Sequence, residues 1–125
     1  MNIEINTAVV EAKRSEAAIR FIEYAFETAQ EKLDKVVERG SFSYSDFEII
    51  TESKALLGIQ YQLTRRIEAG AAANLLEAAR VWSNEYLADF ASSFPTFNSS
   101  SRMSNAVDET TARTKFDFAQ TWQAK

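Results

Sequence analysis

The stretch from Thr7 to Arg39 contains neither glycine nor proline and has the sequence TAVVEAKRSEAAIRFIEYAFETAQEKLDKVVER. Small or apolar residues recur in it at alternating steps of four and three, and only Ser15 interrupts this heptad row: Ala8, Ala12, Ser15, Ile19, Ile22, Phe26, Ala29, Leu33 and Val36. Such spacing places the row on one face of an α-helix. We therefore predict a helix over this stretch, roughly 50 Å long at about 1.5 Å per residue, around which the rest of the chain packs.

The other faces of this helix indicate how it is used. Further apolar residues widen the stripe, as expected for a helix that is covered on two sides in a bundle: Ala18, Phe21, Ala25 and Val37. The opposite face carries six acidic residues with three basic ones, Arg20, Lys32 and Lys35, among them: Glu16, Glu23, Glu27, Glu31, Asp34 and Glu38. We interpret it as solvated, because di-metal carboxylate bundles pair Glu with a histidine and the chain has none.

A second helix follows a turn at Gly40. Glycine adopts the left-handed backbone conformation that ends helices. The tetrad Ser45-Asp46-Phe47-Glu48 matches a capping box with Ser45 as N-cap, and Tyr44 with Ile49 matches a hydrophobic staple. This predicts a helix from Asp46. Gly58 lies inside it at a cost of about 1 kcal/mol relative to alanine, and either permits close helix approach or is neutral.

The course of the chain after Gly70 has two interpretations. Arg65, Arg66 and Gly70 are typical of a helix end, whereas the alanines that follow favour continuation. We predict a turn at Gly70 and keep one continuous helix to about Ser92 as the alternative. In both cases one stripe runs to Phe90, made of Leu75, Ala79, Trp82, Tyr86 and Phe90. Pro95 is expected to end the helix, because proline disfavours helical geometry in the residue before it.

The C-terminal part carries weaker folding signals. Residues 97–104 are rich in serine and are predicted to form a flexible linker. Asn105 to Lys125 matches both a helical and a strand period, so its conformation stays open. The predicted fold is all-α: a helical hairpin or three-helix bundle over 1–93, followed by a linker and an aromatic-containing tail over 94–125.

Composition excludes several chemistries. The chain has 125 residues, a net charge of −4, and neither cysteine nor histidine, so it lacks thiolate ligands and the usual side chain for acid–base work near neutral pH. Its three glycines are scattered and form no phosphate loop. We predict no enzyme activity, no cofactor and no metal. Clustered basic residues for nucleic-acid binding, a signal peptide and a membrane span are not found, which predicts a cytoplasmic protein or a component of an assembled particle.

Protein partners remain as the predicted mode of action. Five aromatic residues of the tail are the candidate partner-binding residues, because aromatics dominate interface hot spots: Phe94, Phe97, Phe116, Phe118 and Trp122. They either cap the bundle of their own chain or reach a neighbour. The leading hypothesis is a non-enzymatic helical subunit or adaptor, a homo-oligomer or part of a larger complex such as a virion or secretion apparatus. The alternative is a small acidic inhibitor or regulator that docks on a basic partner.

Overall fold

The computed structural model describes the backbone of residues 3–99 and 106–124 and the side chains of residues 9–90 and 109–124. Within those ranges the chain forms four α-helices and no strand: α1 (Ile3–Arg39), α2 (Tyr44–Glu68), α3 (Leu75–Ser99) and α4 (Ala106–Trp122). The predicted all-α class is confirmed, with one helix more than the three-helix bundle expected.

Helix α1 follows its heptad row, and four members of the row are buried: Ile22, Phe26, Ala29 and Val36. Helix α2 has 25 residues against 37 in α1, and the side chains of residues 9–14 are exposed. The N-terminal part of α1 therefore extends past the end of α2. The expected burial of Phe21 and Val37 is wrong, since they are 68% and 65% exposed. Both side chains lie beside the strip of α1 that its neighbours cover.

The turn between α1 and α2 is held by Asp46. Gly40 has a φ of +75°, as predicted for a helix end. Helix α2 begins two residues earlier than expected, with Ser43 as its N-cap. The backbone N–H of Ser43 donates to Asp46 Oδ2 at 2.7 Å, and Arg39 Nη2 donates to Asp46 Oδ1 at 2.6 Å. The predicted capping box that starts at Ser45 is therefore wrong. The box starts at Ser43, and Asp46 is its acidic residue. Arg39, which ends α1, stabilises the Asp46 carboxylate in this position. The predicted staple is also wrong, as Tyr44 is 92% exposed.

The predicted turn at Gly70 is confirmed. Helix α2 ends at Glu68, Gly70 has a φ of +79°, and α3 begins at Leu75. The side chain of Asn74 caps α3, because its Oδ1 accepts a hydrogen bond from the N–H of Glu77 at 2.9 Å. The three alanines after Gly70 are not helical.

The predicted helix end before Pro95 is wrong, because α3 continues to Ser99. A proline inside a helix removes one backbone donor and crowds the carbonyl oxygen four residues earlier, at a cost of about 3 kcal/mol, which the packing of α3 must offset. The preceding turns of α3 are held by ring contacts, with Tyr86 stacked on Trp82 at a centroid distance of 5.1 Å and Phe90 tilted against Phe116 of α4 at 5.0 Å. Burial raises the pKa of the Tyr86 hydroxyl.

The C-terminal stretch forms α4, so the helical period is the one adopted. Threonines weaken isolated helices, but two of those in α4 form hydrogen bonds inside the helix. Thr114 Oγ1 donates to the carbonyl oxygen of Thr110, and Thr121 Oγ1 to that of Asp117, both at 2.8 Å. The expected tail thus contains a helix that packs against α2 and α3. Most of the predicted serine-rich linker lies outside the described residues.

The α2–α3 hairpin forms the centre of the bundle. Helix α1 packs mainly on α2 and more lightly on α3, while α4 packs on both α2 and α3. In the part of the chain that is described, α1 and α4 meet only through side chains. Phe118 of α4 stacks on Phe26 of α1 at a centroid distance of 6.0 Å, and its ring lies edge-on to Trp82 of α3 at 5.7 Å. This aromatic centre joins three helices.

Candidate protein-binding surface

The structure places the five predicted partner-binding aromatics in three situations. Phe118 is only 7% exposed and belongs to the core. Phe116 and Trp122 are half-buried, with Trp122 lying 6.3 Å from the ring of Phe21. The side chains of Phe94 and Phe97 lie outside the described residues. Within the single chain, the described members of the set therefore pack on the bundle, Phe118 inside it and Phe116 and Trp122 at its edge.

A second heptad row lies on α2, on the side facing away from the bundle core. We call it the outer seam. It has steps of three, four, three and four residues and consists of Phe47, Ile50, Lys54, Leu57 and Tyr61. Phe47 and Tyr61 are each 57% exposed, and Lys54 is exposed.

Among the described residues, the outer seam does not belong to the main core cluster of the bundle. Core residues of α2 come from another face, where Ile59 and Leu63 are almost fully buried. Ile50 and Leu57 are half-buried, yet among the described residues neither packs against the main core cluster. An apolar row of this period normally faces a partner helix. In α2 one such row faces the core and a second faces outward.

An open groove runs beside the outer seam, between α2 and α4. Its volume is about 390 Å³, and it is lined by Phe47, Ile50, Thr51, Lys54, Ala55, Gly58, Thr111 and Lys115. A Cβ atom built on Gly58 would meet no atom within 4 Å. The bundle therefore gains no close helix contact from this glycine, although glycine weakens the helix by about 1 kcal/mol. The structure leaves the missing side chain as a notch in the groove.

The charge of the groove is positive. Lys54 lies on its α2 wall and Lys115 on its α4 wall, and neither forms a salt bridge with any described carboxylate. Arg113 of α4 is neutralised elsewhere, because its Nη2 atom lies 2.9 Å from Glu48 Oε1 and 3.7 Å from Glu52 Oε1. Among the described residues neither lysine is neutralised, and none of the residues that line the groove is acidic.

Both ends of the outer seam are positioned by polar contacts. At the N-terminal end, hydrogen bonds from Ser43 and Arg39 hold the pKa of Asp46 below its ordinary value, which keeps the carboxylate charged and the first turn of α2 in place beside Phe47. At the other end, Arg65 Nη1 donates to Tyr61 Oη at 2.9 Å, and its guanidinium lies 5.6 Å from the ring centroid. The contacts with Arg65 restrict the side chain of Tyr61, and the contacts of Asp46 hold the backbone that carries Phe47.

The described residues contain no group of three or more Asp or Glu side chains that could hold a metal ion. No helix within the described ranges combines the length and apolar character needed to cross a membrane. Comparison with protein-family models, curated proteins and solved structures finds no match for this chain.

The outer seam is not separated from the core-facing row of α2 in the sequence-based predictions, although the heptad pattern that separates them is present in the sequence. The apolar residues of the second helix belong to two rows, one from Phe47 to Tyr61 and one that includes Ile59 and Leu63. Taken together they indicate one broad stripe. Sorting them by heptad position separates the rows, and the exposed aromatics at the ends of the first row then identify it as the outward one.

Proposed function

We propose that the chain is a non-enzymatic helical subunit or adaptor that acts through protein–protein contacts, with the outer seam of α2 as its contact surface. The observation that supports this is a heptad row with exposed aromatic ends that the chain's own core does not use. Aromatic side chains are enriched among the residues that contribute most binding energy at interfaces.

The shape of the surface also supports the proposal. Phe47 and Tyr61 are four turns of helix apart, about 21 Å at about 1.5 Å per residue, which matches the length of a short docked helix. The groove between them provides a floor for apolar side chains, and the lysines at its walls provide polar contacts.

The test is native purification from the producing cells, with quantitative mass spectrometry of associated proteins. Two variants remove the seam aromatics, Phe47→Asp and Tyr61→Asp, and Tyr24→Asp is the matched control because Tyr24 is 67% exposed on α1. We expect the seam variants to lose the associated protein while circular dichroism stays unchanged and the control keeps it. Equal recovery with all three variants would contradict the proposal.

A second candidate function is a regulator that docks the acidic face of α1 on a basic protein. The observation in its favour is that all six acids of this face are exposed: Glu16, Glu23, Glu27, Glu31, Asp34 and Glu38. Reversing the charges of Glu23 and Glu27 should then weaken binding and flatten its salt dependence. The outer-seam variants would leave that binding unchanged, so the same purification separates the two candidates.

A further inference from the structure

We infer that the partner element is an amphipathic α-helix of another protein, which lies along the outer seam and places a carboxylate between Lys54 and Lys115. This inference rests on the proposed function, because it names the occupant of the same surface.

The spacing of the outer seam selects a helix as the partner. Steps of three and four residues keep the row straight along α2, so a second helix can contact all of it at a small crossing angle. A partner strand would need a sheet edge to extend, and the described part of the chain contains no strand. The notch at Gly58, where a Cβ would meet nothing, lets a helix approach more closely than any other residue would allow.

The walls of the groove select an acidic partner. Lys54 occupies the central position of the outer seam, and Lys115 lies on the opposite wall. Both lack a carboxylate partner among the described residues. An ammonium group covered by an apolar helix loses hydration without compensation, so a helix with only apolar residues is disfavoured. A Glu or Asp at the facing position provides the counter-charge.

The same lysine disfavours a second copy of α2 as the occupant. Because Lys54 is the midpoint of the row, two copies pair it with itself in both the parallel and the antiparallel in-register arrangements. Like charges at the centre of an interface are destabilising. The acidic outer face of α1 provides carboxylates but has charged residues where a partner row needs apolar ones, for example at Glu23, Glu27 and Glu31. Neither α2 nor the acidic face of α1 in a second copy therefore suits the outer seam, which favours a helix of a different protein.

The inference is tested by selection from a displayed library of 21-residue amphipathic helices. Their row positions are Leu, Ile or Val, and the central row position is fully randomised. The full-length protein is the target. We expect enrichment of Glu and Asp at the central position, and about tenfold weaker binding of the selected helices to Lys54→Glu. Selection against Lys54→Glu should enrich Lys and Arg instead. Lys35→Glu replaces an exposed lysine of α1 and is the matched control, so it should bind the selected helices as the wild type does.

The outcomes separate this inference from the proposed function. Selected helices that fail to bind Tyr61→Asp but show no preference for charge at the central row position would refute an acidic partner. The outer seam would then remain a binding surface. Selected helices that bind Tyr61→Asp and Gly58→Glu with the same affinity as the wild type would overturn both this inference and the outer seam as the contact surface. A dimer in sedimentation equilibrium that Tyr61→Asp dissociates would show that a second copy is the occupant, and would overturn the inference.

Discussion

Replacing Gly58 by alanine tests whether this glycine serves the fold or a partner. Its backbone is helical, it is exposed, and an added Cβ would meet no atom within 4 Å. The substitution therefore introduces no clash. Alanine is favoured over glycine inside a helix by about 0.8–1.0 kcal/mol, in part because glycine gives the unfolded chain more conformational freedom.

We therefore expect Gly58→Ala to raise the free energy of unfolding of the isolated protein by about 1 kcal/mol. For a chain of this length that corresponds to an increase in melting temperature of about 3–5 °C. In urea, the midpoint should rise by about 0.3–1 M with an unchanged slope. The reverse exchange at an exposed alanine of α1, Ala17→Gly, calibrates the scale in this protein and should destabilise it by a similar amount.

The same variant should bind the selected helices less well, because the methyl group fills the notch at Gly58. Greater stability with weaker binding is the expected combination. A variant that is less stable than the wild type would refute the reasoning, because it would mean that a neighbour in the folded chain occupies the space beside Gly58. Greater stability with unchanged binding would show that partners do not use the notch.

Three further predictions concern the fold. Phe26→Ala should cost roughly 3–5 kcal/mol, because its side chain is 2% exposed; an unchanged melting temperature would contradict the position of the core. Asp46→Asn should reduce the free energy of unfolding at pH 7. The difference in free energy from the wild type should shrink as the pH falls below 3.8, the ordinary pKa of aspartate, because the folded state stabilises only the charged form of Asp46. A difference independent of pH would refute this role. Ser43→Ala should destabilise by about 1 kcal/mol and Ser45→Ala by less, as measured by urea unfolding; the opposite order would restore the boundary predicted from sequence.

The parts of the fold that the sequence predicts are those set by local chemistry. The long row of α1 needs no tertiary information, and both helix-ending glycines, Gly40 and Gly70, adopt the positive φ that only glycine tolerates well. The start of α2 was misplaced because two overlapping tetrads satisfy the capping pattern. The choice between Ser43 and Ser45 depends on Arg39, whose contact with Asp46 is tertiary.

The C-terminal helix could not be predicted for a related reason. Its threonines and alternating aromatics match two periods, and only packing against α2 and α3 decides between them. Phe118 was assigned to partner binding because aromatic residues serve interfaces and cores alike. Its contacts with Phe26 and Trp82 come from helices distant in sequence, and no local pattern indicates them.

The aromatic centre of the bundle provides an optical probe. The chain has two tryptophans: Trp82 lies edge-on to Phe118 of α4, and Trp122 belongs to α4 itself, near Phe21. Neither belongs to the outer seam. Detachment of α4 would expose both indoles to water and shift their emission to longer wavelength, whereas a ligand on α2 would leave the spectrum unchanged. Intrinsic fluorescence therefore distinguishes opening of the bundle from occupation of its surface, without an attached dye.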